Sequence, residues 1–159
     1  MINLSQRGID LIKRLEGCST TMYHDAAGLP TIGIGHLLTR SELSSGKLLI
    51  NGEVVKWGNG ITAKQCDELL AEDANWARNA LGAVLVPLTQ NQFDSLVSFV
   101  FNIGAAAFRG STLLKKLNAG DYDAVPAQMR RWTMAGGKPL LGLRNRREFE
   151  VKCWNGEDV

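Results

Sequence analysis

The chain has 159 residues, of which 45% are hydrophobic and 21% charged, an ordinary globular composition that suits one domain or two small lobes sharing a core. Its net charge of +2 is too weak to argue for nucleic acid. Three scattered cysteines, Cys18, Cys66 and Cys153, argue against a disulfide framework and for synthesis in a reducing compartment, and no run of about eighteen apolar residues suggests a membrane span.

The first predicted element is a helix from about Leu4 to Glu16, with Ser5 as its cap. At 3.6 residues per turn, Leu4, Gly8, Leu11, Ile12 and Leu15 share one apolar stripe, and Arg7, Asp10, Lys13 and Arg14 face away. Glu16 falls at the edge of the stripe, and Gly17 is suited to stop the helix. A carboxylate beside apolar surface has its charged form disfavoured, so Glu16 is expected to hold its proton more tightly than usual.

A hairpin follows. Met22 to Asp25 and Thr31 to Ile34 read as strands, joined by Ala26 to Pro30 with Gly28 in the turn. A register pairing Asp25 with Thr31 would put the two side chains opposite one another. Strict alternation along TIGIGH then places Thr31, Gly33 and Gly35 on one face, floored by glycine and open to a ligand. Ile32, Ile34 and His36 would turn inward.

Between Leu37 and Gly60 the clearest signal is Asn51-Gly52, which predicts a second hairpin with strands near Leu48 to Ile50 and Glu53 to Trp57. From Thr62 onward the pattern is helical. Thr62 with Gln65, and Thr89 with Gln92, have capping-box spacing. The first opens a long helix to about Leu81; the second opens an apolar helix through Phe93, Leu96, Val97 and Val100. Further helices are expected near Thr112 to Asn118, Tyr122 to Thr133 and Leu143 to Cys153. Strands early and helices after them make the class α+β.

Cleaving a glycosidic bond takes a proton donor for the leaving oxygen and a second group acting at the anomeric carbon. Glu16, Asp25 and Thr31 have the right types: a shielded acid, a carboxylate and a hydroxyl to orient water. Taken singly, each also has an ordinary explanation, as a helix-end carboxylate, a turn stabiliser and a strand residue.

The arrangement is more specific than the types. Eight residues separate Glu16 from Asp25, and five separate Asp25 from Thr31. Together with LEG (15–17), YHDAAGLPTIGIGHLLT (23–39), PLTQNQFDSLVSFVFNIG (87–104), FRGSTLL (108–114), RRWTMAGG (130–137) and GLRNRRE (142–148), this resembles the phage-type lysozymes. These are the endolysins of tailed bacteriophages, typified by the lysozyme of T-even coliphages. The resemblance covers essentially the whole chain, in order.

It implies a two-lobed lysozyme-like α+β fold with the cleft between lobes. The chain would be a single domain: a small lobe over about 16–61, a spine helix over about 62–81, and a helical lobe over about 82–159 packed with helix 1–16. The activity implied is hydrolysis of the β-1,4 bond between N-acetylmuramic acid and N-acetylglucosamine in peptidoglycan, with no cofactor. Glu16 would be the general acid; Asp25 and Thr31 would act on the attacking water. Inversion at the anomeric carbon is implied, which calls for carboxyl groups roughly 6.5–9.5 Å apart.

Substrate contacts carried over are Leu37, Phe101 and Asn102, although the family commonly has Gln at the last position. His36 would be structural and paired with Asp73. With no HExxH, no metal site is expected. The implied setting is synthesis in the host cytoplasm and action on the periplasmic wall after holin-mediated release, as a monomer, without stable membrane insertion or nucleic acid. A lytic transglycosylase and a non-catalytic wall-binding module stay open as alternatives. The basic residues Arg130, Arg131, Lys138, Arg144, Arg146, Arg147 and Lys152 read as a solvated helix face, or as a weak attraction to anionic envelope surfaces.

Overall fold

The computed structural model describes residues 3–158. Helix α1 spans Gln6–Glu16. At its start, Ser5 Oγ accepts a hydrogen bond from the Gly8 amide at 3.1 Å, the expected cap. It ends where Gly17 turns to positive φ and its amide returns to the Lys13 carbonyl at 2.8 Å. The chain divides into two compact units, 12–73 and a second made of 1–11 with 74–159.

The unit 12–73 holds one three-stranded and one two-stranded sheet. β1 (Ser19–His24), β2 (Pro30–Gly33) and β3 (His36–Leu37) form an antiparallel three-stranded sheet in that order. α2 (Arg40–Ser45) follows, opened by a capping box in which Thr39 and Glu42 satisfy one another's amides. β4 (Lys47–Ile50) and β5 (Glu53–Lys56) then pair across Asn51 and Gly52, both at positive φ as the turn demands. α3 (Ala63–Ala80) begins at the Thr62–Gln65 box and runs through the division between the units. Ile32, Ile34, Leu48, Ile50, Ile61, Cys66, Leu69 and Leu70 are buried in this unit.

In the other unit, α4 (Gln90–Ile103) starts at the Thr89–Gln92 box and is buried without interruption from Phe93 to Val100. It is followed by α5 (Ala105–Arg109), α6 (Thr112–Asn118) and α7 (Val125–Met129). Then come the two-residue strands β6 (Met134–Ala135) and β7 (Lys138–Pro139), and α8 (Leu141–Trp154), which packs on α4. Among the described residues, no helix is long and apolar enough to cross a membrane.

Several local expectations are corrected. The segment Leu37 to Gly60 contains α2 as well as the hairpin. The expected helix from Tyr122 to Thr133 ends at Met129, and Met134 to Pro139 is a hairpin around Gly136 and Gly137. TIGIGH is not one strand. Gly33 and Gly35 both adopt positive φ (68° and 69°), which reverses the chain so that His36 lies across from Ile32 on a third strand. Nor does Gly33 floor a ligand surface. A Cβ there would meet Leu69 Cδ2 at 3.6 Å and the Cα of Cys66 at 3.9 Å, so the glycine lets β2 pack against α3.

The basic run is also not one solvated face. Arg146 and Arg147 are buried and share the fully buried Glu150. Arg130 is exposed and paired with Glu148 at 2.7 Å.

Candidate active site

Asp25 lies just beyond β1. The observed register pairs Tyr23 with Thr31 and His24 with Pro30, so Asp25 does not face Thr31 across the ladder as expected. It forms the turn instead. Its amide donates to the Leu29 carbonyl, while its Oδ1 accepts from the amides of Ala27 and Leu29, all at 2.9 Å. An aspartate that caps its own turn in this way is displaced from strand pairing.

The turn also reaches Thr31, whose hydroxyl donates to the same Leu29 carbonyl at 3.0 Å. Leu29 therefore binds Asp25 and Thr31 into one hydrogen-bonded unit. Thr31 is nearly inaccessible, at 2% exposure, which makes its rotamer rigid and spends its proton on the backbone. The oxygen lone pairs remain as acceptors.

Glu16 is half-buried in the last turn of α1. Tyr23 connects it with the hairpin electrostatically. Burial, then the negative charges of Glu16 and Asp25, hold the Tyr23 phenol above its ordinary range. One phenol on β1 thus feels both carboxylates, although they come from different elements.

His36 sits between two carboxylates. Its Nδ1 is 2.7 Å from Asp73 Oδ2 on α3, and its Nε2 is 3.0 Å from Glu42 Oε1. Burial opposes the imidazolium, but the hydrogen bond and charge of Asp73, then those of Glu42, outweigh it and raise the pKa to about 9. The ring is therefore charged at neutral pH and unsuited to act as a base there. Glu42 was not anticipated as a partner. The signal was Thr39-x-x-Glu42, since the Oε1 that caps α2 also meets the ring.

Leu37 is exposed on β3 and pairs with Thr31, which puts an apolar side chain beside the hairpin site. Phe101 stacks on Trp76 with ring centroids 5.8 Å apart. Asn102 is at the end of α4, and its Oδ1 accepts from Arg147 Nη2. It borders a cavity of about 360 Å³ with Ile103, Trp132, Met134, Leu143 and Arg147.

Arg147 belongs to the basic run expected on a solvated helix face, but it is buried. Its Nε donates to the Trp132 carbonyl at 2.9 Å, its Nη1 to Glu150, and its guanidinium lies 5.0 Å over the Phe99 ring. Burial holds its pKa below the usual range, against the pull of Glu150. The arginine fixes which end of the Asn102 amide is turned inward, leaving the NH₂ as the donor end.

Residues 13–150 match the family model described as phage lysozyme. The chain belongs to the phage lysozyme family. It is 43% identical over 150 residues to the endolysin of Salmonella phage P22, covering 93% of this chain and 96% of the relative. A crystal structure of a point mutant of P22 lysozyme superposes with a TM-score of 0.80 and 38% identity, over 98% of this chain and 99% of the other. The muramidase domain of SpmX from Asticaccaulis excentricus superposes with a TM-score of 0.78 and 33% identity, over 97% and 98% of the two chains. The α+β fold is lysozyme-like.

Proposed function

We propose that this lysozyme hydrolyses the β-1,4 bond between N-acetylmuramic acid and N-acetylglucosamine in peptidoglycan, with Glu16 as general acid and Asp25 and Thr31 directing the water. Membership of the family makes the chain a bacteriolytic glycoside hydrolase of the endolysin type. The assignment of roles is supported by one observation above the others. The Asp25 carboxylate accepts from the Leu29 amide, the Thr31 hydroxyl donates to the Leu29 carbonyl, and Tyr23 on the adjoining strand feels both Asp25 and Glu16.

The chemistry follows from the groups. Glu16 gives its proton to the leaving oxygen as the glycosidic bond breaks. Positive charge develops at the anomeric carbon, and the Asp25 carboxylate stabilises it and takes the proton of the incoming water. Thr31, having committed its own proton to Leu29, can only accept, so it aligns the water's second hydrogen. Attack from the face opposite the leaving group inverts the anomeric carbon. Leu37, Phe101 and Asn102 are the proposed saccharide contacts. The proposed setting is release by a holin to the periplasmic wall, with the enzyme acting as a monomer.

The test is digestion of purified peptidoglycan. Wild-type protein should release reducing N-acetylmuramic ends of inverted configuration, and Glu16→Gln should lose on the order of 10²–10⁴ of the rate. Wild-type-like turnover by that variant removes Glu16 as the acid. Products ending in 1,6-anhydromuramic acid would make the chain a lytic transglycosylase instead.

A further inference from the structure

Two of the free thiols come together at a place the glycosidase mechanism does not use. Cys18 is exposed, immediately after the turn that ends α1, and Cys66 is fully buried in the first turn of α3. The backbone brings them together. Ser19 pairs with Gly33, and Gly33 packs on the Cα of Cys66. The Cys66 thiol points to the Ser19 carbonyl, 3.9 Å away, one residue from Cys18. Lys13 and Asp67, 3.2 Å apart, bridge the same two helices beside them.

We propose that Cys18 is a thiol–disulfide exchange site for small disulfides of the oxidised-glutathione class, and that Cys66 resolves the adduct into an intramolecular Cys18–Cys66 bond.

The two thiols are unequal in the way such a pair requires. Cys18 meets solvent and therefore the oxidant. Cys66 is shielded; burial, then the hydrogen bond and charge of Cys18, push its thiol up to about 12, so it waits as a protonated donor. Lys13 pulls the Cys66 thiol the other way, but as the smallest of the influences on it.

The steps balance. The Cys18 thiolate attacks one sulfur of the oxidant, forming a mixed disulfide and expelling one glutathione thiolate. That step removes the negative charge beside Cys66, which eases loss of the Cys66 proton to solvent. The Cys66 thiolate then attacks the Cys18 sulfur, closing the bond and expelling the second glutathione. Both cysteines are oxidised, and one disulfide oxidant is reduced to two thiols. The product ties the chain two residues beyond Glu16 to α3. Cys153 has no part in it, being buried in the other unit with its thiol toward the Asn91 carbonyl at 3.5 Å.

The experiment exposes the folded full-length chain to oxidised glutathione and follows intact mass, peptide maps and thermal unfolding. Wild-type protein should lose the mass of two hydrogens, yield one Cys18–Cys66 cross-linked peptide, and melt higher than the reduced form until dithiothreitol is added. Cys66→Ser should stop at one glutathione on Cys18, and Cys18→Ser should take up none while folded. A stable glutathione adduct on the wild type, a link to Cys153, or equal uptake by Cys18→Ser overturns the proposal. Should Cys66→Ser not fold, the wild-type map and the Cys18→Ser measurement decide alone.

Discussion

Removing the carboxylate of Asp73 should take away a pH-dependent part of the stability. Asp73→Asn keeps the shape of the side chain and deletes its charge 2.7 Å from His36 Nδ1. An imidazole titrating at 6.5 in the unfolded chain and at about 9 in the folded one binds its proton more tightly when folded. At about 1.4 kcal/mol per pH unit, that difference is worth on the order of 3 kcal/mol.

The sign follows from the direction of the shift. The stabilisation is complete below the unfolded value near 6.5 and disappears as pH rises through about 9. His36 is only 13% exposed, so solvent screens the pair little; Asp73 and Glu42, at 22% and 21%, are screened somewhat more. Because Glu42 remains in the variant, Asp73→Asn should cost roughly 2 kcal/mol near pH 6 and little near pH 10. Urea unfolding at the two pH values measures the stabilities, and NMR titration of the His36 ring measures its pKa in each protein. An equal deficit of the variant at both pH values, or a wild-type His36 that titrates at its ordinary value, would refute the pairing as the source of this stability.

Asp25→Asn separates turn from chemistry. The amide oxygen can still accept from Ala27 and Leu29, so unfolding should be unchanged while peptidoglycan turnover collapses, read by calorimetry and reducing-end release. Glu150→Ala removes the acceptor shared by Ser98, Arg146 and Arg147 in a site with no exposure, and should cost about 3–5 kcal/mol in urea. Glu148→Ala breaks a half-exposed pair with Arg130 and should cost no more than about 1 kcal/mol in the same assay. Gly8→Ala would gain about 1 kcal/mol of helix propensity but place a methyl 2.8 Å from Asp94 Cγ, whose carboxylate is held by Ser5 and Gln90. Overpacking of about 1–3 kcal/mol should exceed that gain, giving a lower melting temperature.

Which parts of this molecule could be read from its residues depends on the range of the forces involved. Capping boxes and apolar periodicity are local, so α1, α3, α4 and α6 were legible to within a few residues, as was the hairpin at Asn51-Gly52. In the first hairpin, alternation alone predicts the wrong register. Asp25 has a competing local use for its carboxylate, and two amides close at hand outweigh one ladder position. The same alternation fails in TIGIGH because Gly33 and Gly35 adopt positive φ, which a pattern of side chains does not register.

The buried arginines illustrate a different limit. A dense basic run near a chain end reads as surface, since an unpaired buried guanidinium is prohibitive. What makes Arg146 and Arg147 buriable is Glu150, four and three residues on, with Ser98 and the Trp132 carbonyl contributed from distant positions. The spacing to Glu150 was visible; the remaining partners come from elsewhere in the chain. Asn102 is reached by the same buried chain of hydrogen bonds, through Arg147. A residue proposed to touch substrate is thus oriented by a group that sequence reasoning assigned to solvent. Asn102 and Glu150 should therefore couple in a double-mutant cycle measured on saccharide binding, by more than the roughly 0.3–0.5 kcal/mol expected of independent sites.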